Sequence, residues 1–196
     1  MLPSREDAWN LLLEFTQSES LIKHALAVES AMRHYARHFG EDEERWGITG
    51  LLHDFDYERW PNHERSPERG HPVTGAAILA ERGYPEDVIY AIKAHADYLG
   101  LPRRDLMSRT LYAVDELSGF IVAVALVQPG KSIARVTYPS VAKRLKSKSF
   151  ARGVNREDVY RGAEELGVPF QEHVERVIAA LQACAPALGL DGQGEA

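Results

Sequence analysis

Polar side chains stand at several points where a helical pattern calls for apolar ones. His24 lies among Leu21, Ile22, Ala25 and Val28, His53-Asp54 closes a run of Ile48, Leu51 and Leu52, and Asp115 is embedded in Leu111-Tyr112-Ala113-Val114-Asp115-Glu116-Leu117. His95 follows Ile92 by three and Ala91 by four, so it shares their helical face. An ionised carboxylate in a helical core is costly unless it is paired or bound to a metal. Two imidazoles and two carboxylates brought to one point would relieve that cost together, as neutral nitrogen and anionic oxygen ligands of a divalent cation. Each residue alone has a plainer reading: His24 as a hydrogen-bonded core histidine, Asp115 as a cap or an arginine's partner. It is the combination that points to a metal. The remaining histidines serve as controls. His34 and His38 sit beside Arg33 and Arg37 on what reads as a solvated face, His63 lies in a polar loop, and His173 stands in a charged helix start that reads as surface.

Helices must position these groups. Helical spacing covers Asp7 to Thr16, then Leu21 to Tyr35 with Ser18 or Ser20 as cap and Gly40 as stop, then a segment from the acidic turn at Glu41–Glu44 through Leu52. Asp56 to Gly70, with Pro61, Asn62, Ser66 and Pro67, reads as a loop. Pro72 suits a first helical position, and a further helix begins at Glu86 after the Gly83-Tyr84-Pro85 turn. Asp105 caps a long apolar helix that Pro129-Gly130 stops. Beyond it the spacing predicts a short basic helix over 139–146, a helix from the Asn155 cap to Leu166, and a last one over 169–185. Lys131 to Tyr138 is the one plausible extended piece. Gly47, Gly50, Gly75 and Gly119 are expected to permit close helix packing. The class is all-α: one domain over 1–185, with a core of about 18–127, a helical extension over 131–185, and a flexible tail over 186–196.

Composition narrows the chemistry. With 196 residues, 44% hydrophobic and 27% charged, the chain can bury a substantial core and is neither disordered nor low-complexity. Cys184 is the sole cysteine, so an intrachain disulfide or a zinc site of several thiolates is excluded, and any metal must be held by His, Asp and Glu. No signal-peptide core or membrane-length apolar run is present, and the expectation is a cytoplasmic protein. The net charge is −6, yet residues 131–161 carry +7, which leaves −13 on the rest. A basic insert in an acidic chain points to contact with an anion such as phosphate, or to a solvated helix face. Binding to a nucleic-acid polymer is not expected of so acidic a chain.

The order His24, His53-Asp54, Asp115 resembles the H…HD…D signature of the HD-domain superfamily of metal-dependent phosphohydrolases, over roughly residues 18 to 127. His53-Asp54-Phe55-Asp56-Tyr57-Glu58, Asp115-Glu116-Leu117-Ser118-Gly119-Phe120, and Lys148 to Glu157 resemble a small group of predicted HD hydrolases. Phe55 and Asp56 replace the Ile and Gly of the HDIG variant.

The resemblance implies an all-α HD-type bundle. Its metal ligands would be His24, His53, Asp54 and Asp115, and His71 and His95 stand where ligands of a second ion fall. One or two divalent ions are implied: manganese, iron, cobalt, nickel or zinc, with magnesium the less comfortable fit. The reaction implied is hydrolysis of a small phosphate ester, a nucleotide among the options. Asp56, Glu58, His71 and His95 would be candidates to relay protons, and Lys143, Lys146, Lys148, Arg152 and Arg156 candidates to hold the phosphate. Dinuclear phosphodiester cleavage, di-iron oxygenase chemistry and a non-catalytic sensor module are the competing readings.

Overall fold

Ser4, Asp42, Asp105 and Asn155 each accept a backbone N–H in the first turn of a helix, supplying partners that the helix itself cannot. The structure, a computed structural model, describes residues 2–193. Its helices are α1 (Arg5–Phe15), α2 (Glu19–Phe39), α3 (Glu43–Leu52), α4 (Val73–Glu81), α5 (Glu86–Ala94), α6 (Leu106–Leu126), α7 (Tyr138–Leu145), α8 (Arg156–Leu166), α9 (Phe170–Ala183) and α10 (Ala185–Leu188). No strand occurs among the described residues, so the chain is all-α as expected. The segment read as extended forms two 3-10 turns, Pro129–Lys131 and Ile133–Arg135, and an isolated bridge from Ser132 to Asp191.

α2 and α6 are the two longest helices and pack against each other, with α3 on α2, α5 and α8 on α6, and α9 across both. Leu51, Leu52, Phe55, Leu111, Leu117 and Phe120 are among the fully buried side chains between them. Gly50 is required where α3 crosses α2, because a Cβ there would lie 2.9 Å from Met32 and from the Val28 carbonyl. Gly162 plays the same part between α8 and α6, its missing Cβ falling 2.6 Å from Ala113 Cα. These two crossings draw the polar positions of α2, α3 and α6 together and lay α8 beside them.

The expected flexible tail is ordered where it is described. Leu188 and Leu190 are buried, and the Leu190 carbonyl accepts from Ile133 N–H at 2.9 Å; residues 194–196 lie outside the described residues. His173 also departs from expectation. It is fully buried, accepting from Tyr35 O–H at Nδ1 (2.6 Å) and donating from Nε2 to the Ala113 carbonyl (2.9 Å). Burial pushes its imidazole down to about 4.

Candidate metal centre

His53 and His95 each cap the C-terminal end of a helix, α3 and α5, where carbonyls lack helical partners. Each turns Nδ1 back onto the carbonyl three residues earlier: His53 donates to Gly50 at 2.7 Å, and His95 donates to Ile92. His71, just ahead of α4, donates from Nδ1 to Asp56 Oδ1 at 2.7 Å. In all three rings one nitrogen is committed to a fixed acceptor, which leaves Nε2 as the lone-pair atom.

Those atoms converge on Asp54. Its Oδ2 lies 3.4 Å from His53 Nε2 and 4.0 Å from His24 Nε2, and its Oδ1 lies 3.2 Å from His71 Nε2 and 3.5 Å from His95 Nε2. Asp115, projecting from the middle of α6, places Oδ1 2.9 Å from His24 Nε2 and 3.3 Å from His53 Nε2. Two ligand triads result, His24–His53–Asp115 and Asp54–His71–His95, with the Asp54 carboxylate facing both.

The donor set fits cations. His53 Nε2 is wholly buried and makes no hydrogen bond among the described residues, although two carboxylates flank it. An orphaned nitrogen aimed between anionic oxygens is where a cation satisfies all three. The electrostatics run the same way. Burial disfavours the charged form of His53, but Asp54 and Asp115 outweigh it and hold the imidazole well above its ordinary value. Burial likewise opposes ionisation of Asp54 and Asp115, and the neighbouring histidines outweigh it, keeping both carboxyls well below the usual range. The centre therefore favours positive charge at its middle.

A cleft of about 550 Å³ opens over the second triad, lined by Asp54, His71, His95 and Asp115, by Tyr57, Asn62, Arg65 and Tyr98, and by Asn155, Glu157, Asp158 and Arg161 at the α8 end. Asn62 fastens the 56–72 loop by donating to the Ser66 and Arg69 carbonyls, both at 2.9 Å. Glu116 also faces the cleft; burial and the adjacent Asp115 push its carboxyl up to about 7.

Several expected site residues are placed elsewhere. Asp56 is buried behind His71, its Oδ2 accepting from Gly75 N–H at 2.7 Å, so it fixes the His71 ring and does not line the cleft. Glu58 accepts from the N–H groups of Gln17 (2.7 Å) and Ser18 (3.0 Å) at the entry to α2, a capping task that Ser18 and Ser20 had been expected to perform. Arg156 donates to the carbonyls of Ser147, Phe150, Ala151 and Val154 and thereby organises its own loop. Lys143, Lys146, Lys148 and Arg152 are exposed and do not line the cleft. Of the cations that do line it, Arg161 closes the basic segment read from sequence, whereas Arg65 has no sequence signal, and neither Tyr98 nor Glu116 is among the expected site residues. For Glu116 a signal existed in its place next to Asp115 on the same apolar helix. Arg65 sits in a loop whose geometry only the fold reveals.

Comparison with known proteins bears on this centre. Residues 21–124 match the HD domain family. Ribonuclease Y of Oleidesulfovibrio alaskensis is 32% identical over 102 residues, which cover 52% of this chain and 18% of that protein. Ribonuclease Y of Desulfotalea psychrophila is 30% identical over 101 residues, with the same coverage of 52% and 18%. The aligned stretch is thus under a fifth of the length of those relatives. No solved structure matches. No helix among the described residues is long and apolar enough to cross a membrane.

Proposed function

The chain belongs to the HD domain family of metal-dependent phosphohydrolases, and on that premise we propose that it hydrolyses a small phosphate ester in the cleft beside Asp54. The observation that carries this reading is the pair of adjacent triads, with the Asp54 carboxylate of one facing the histidines of the other. His24, His53, Asp54 and Asp115 would hold one divalent cation, and Asp54, His71 and His95 a second. Imidazole-rich sets of this kind suit manganese, iron, cobalt, nickel or zinc. Bound there, the cations supply Lewis acidity, polarising a phosphoryl oxygen and acidifying water.

The protein's own groups do the rest. Arg65 lines the cleft without an ion-pair partner among the described residues, and its guanidinium is the group to engage phosphate oxygens. Glu116 Oε is the carboxylate next to the centre that belongs to neither triad, placed to carry a proton between water and the departing oxygen. Tyr57 offers its ring and hydroxyl to the remainder of the substrate and Tyr98 its ring alone, since the Tyr98 hydroxyl donates to the His71 carbonyl and accepts from Asn62. Arg161 is held by Asp97, Asp158 and Tyr112, so it closes the wall and is not free to clamp an anion.

The cleft rim is acidic, with Asp97, Glu116, Glu157 and Asp158 against Arg65 and Arg161. A polyanion is gripped by a run of cations, and the lining of this cleft carries more carboxylates than guanidinium groups. We therefore place small phosphate esters, nucleotides included, ahead of polymers. The second reading is phosphodiester cleavage, favoured by the two-triad geometry and by the ribonuclease relatives. Metal analysis combined with a panel of phosphomonoesters, cyclic nucleotides and a short oligoribonucleotide separates the two. Asp54→Ala should lose both bound metal and turnover while helix content survives; metal retained at the wild-type level in that variant rejects the assignment.

A further inference from the structure

Gly119 lies in mid-α6, where glycine costs about 1 kcal/mol relative to alanine. Gly47, Gly50, Gly75 and Gly162 are each demanded by a neighbour within 3.0 Å of the absent Cβ, but at Gly119 the nearest atoms are His24 Cε1 and Nδ1 at 3.8 Å, an ordinary contact. Packing therefore does not require this glycine. What its missing side chain leaves is open space along the Nδ1 edge of His24.

That space belongs to a groove of about 740 Å³, distinct from the cleft, to which His24 and Gly119 both contribute. Val122 and Leu126 of α6 and Leu188 and Leu190 of the C-terminal segment give it apolar walls. Its charged lining is Glu19, Lys23 and Lys131; Glu19 and Lys23 pair with each other at 2.6 Å, which leaves Lys131, without an ion-pair partner among the described residues, as the uncompensated cation. His24 differs from the other three imidazoles of the centre. Its Nε2 faces Asp115 as theirs face the cluster, but its Nδ1 has no acceptor among the described residues. A histidine that ligates through Nε2 carries its proton on Nδ1, and that proton is usually given to a carboxylate or carbonyl which strengthens the ligand.

We propose that the groove binds a small amphipathic carboxylate. Its head accepts from His24 Nδ1–H and is drawn by Lys131, and its alkyl chain lies along Val122, Leu126, Leu188 and Leu190. The bound carboxylate gives His24 the acceptor that Asp56 gives His71, so its occupancy and that of the metal centre reinforce each other, reciprocally. The proposal rests on the orientation of His24 and not on which bond the centre cleaves.

The test uses octanoate and butyrate as probes, titrated calorimetrically into metal-free and manganese-loaded protein, with the His24 imidazole followed by 15N NMR in metal-free and diamagnetic zinc-loaded protein. Octanoate should bind about a hundredfold more tightly than butyrate, four methylenes being the difference. It should shift the His24 Nδ1 resonance and tighten manganese binding up to about tenfold. Leu126→Glu, at a position already half exposed, should weaken octanoate at least about tenfold with an unchanged circular dichroism spectrum. Gly119→Leu, which fills the groove directly, should do the same. Equal binding of the two acids, wild-type octanoate affinity in Leu126→Glu, or a silent His24 resonance overturns the proposal. So does a wild-type dimer that Leu126→Glu dissociates, since a second copy would then be the occupant.

Discussion

Replacing His173 with glutamine should remove a defined part of the protein's acid sensitivity. In the native state the ring is fully buried, accepts from Tyr35 and donates to Ala113, and burial holds it down to about 4. In the unfolded chain it titrates near 6.5. The native pKa is the lower one, so between the two values the unfolded state binds more protons and stability rises with pH. The stabilisation is therefore complete above about pH 6.5 and is lost progressively as pH falls toward about 4. The gap between those values is worth about 3 kcal/mol. His173→Gln can still accept from Tyr35 and donate to Ala113, but it does not titrate. Urea unfolding of both proteins at half-unit steps from about pH 7.5 to about pH 4 isolates this contribution, because every other carboxylate and imidazole is common to both. The wild type should lose about 3 kcal/mol more than the variant over that range. Parallel curves for the two proteins would refute the reasoning, and so would a variant that loses more stability than the wild type.

Asp56→Asn should lower the affinity of the second metal ion about 10–100-fold, with the first ion less affected, because His71 loses a charged acceptor while the His24–His53–Asp115 triad is untouched; stepwise manganese titration reads both. Arg65→Ala should raise KM with little change in kcat if the guanidinium binds the phosphate equally in ground and transition states; steady-state kinetics on the best substrate of the panel decides it. Gly162→Ala should destabilise the fold by about 1–3 kcal/mol in urea, since its Cβ would fall 2.6 Å from Ala113 Cα and push α8 off α6.

The centre was legible because its members violate a pattern. His24, His53, Asp54 and Asp115 each interrupt an apolar helical face, and the structure brings each of the two imidazoles to between 2.9 and 4.0 Å of both carboxylates. The loop and wall residues of the cleft violate nothing in sequence; Arg65 and Tyr98 reach it only because the 56–72 loop and the turn after α5 fold over the triads. Asp56 and Glu58 show the converse. A carboxylate close to His53-Asp54 in sequence is carried by the turn to the back of His71 in one case and to the entry of α2 in the other. His173 was misread from Gln171, Glu172 and Glu175 around it, while Val177 and Leu181, four and eight residues on, mark the buried face it shares. The basic run pointed to an anion, but of its members Arg161 alone lines the cleft, where Asp97, Asp158 and Tyr112 hold it. Most of its side chains are exposed, and Arg156 spends its donors on nearby carbonyls.

The far side of the cleft, Asn155 to Arg161, stands outside residues 21–124, the stretch that matches the HD domain family. One pocket is therefore built from a centre that lies inside the family match and a wall that lies outside it. Substitution in that wall can reshape the pocket's outline while leaving all six candidate metal-holding side chains in place, and the family match says nothing about that part of the outline.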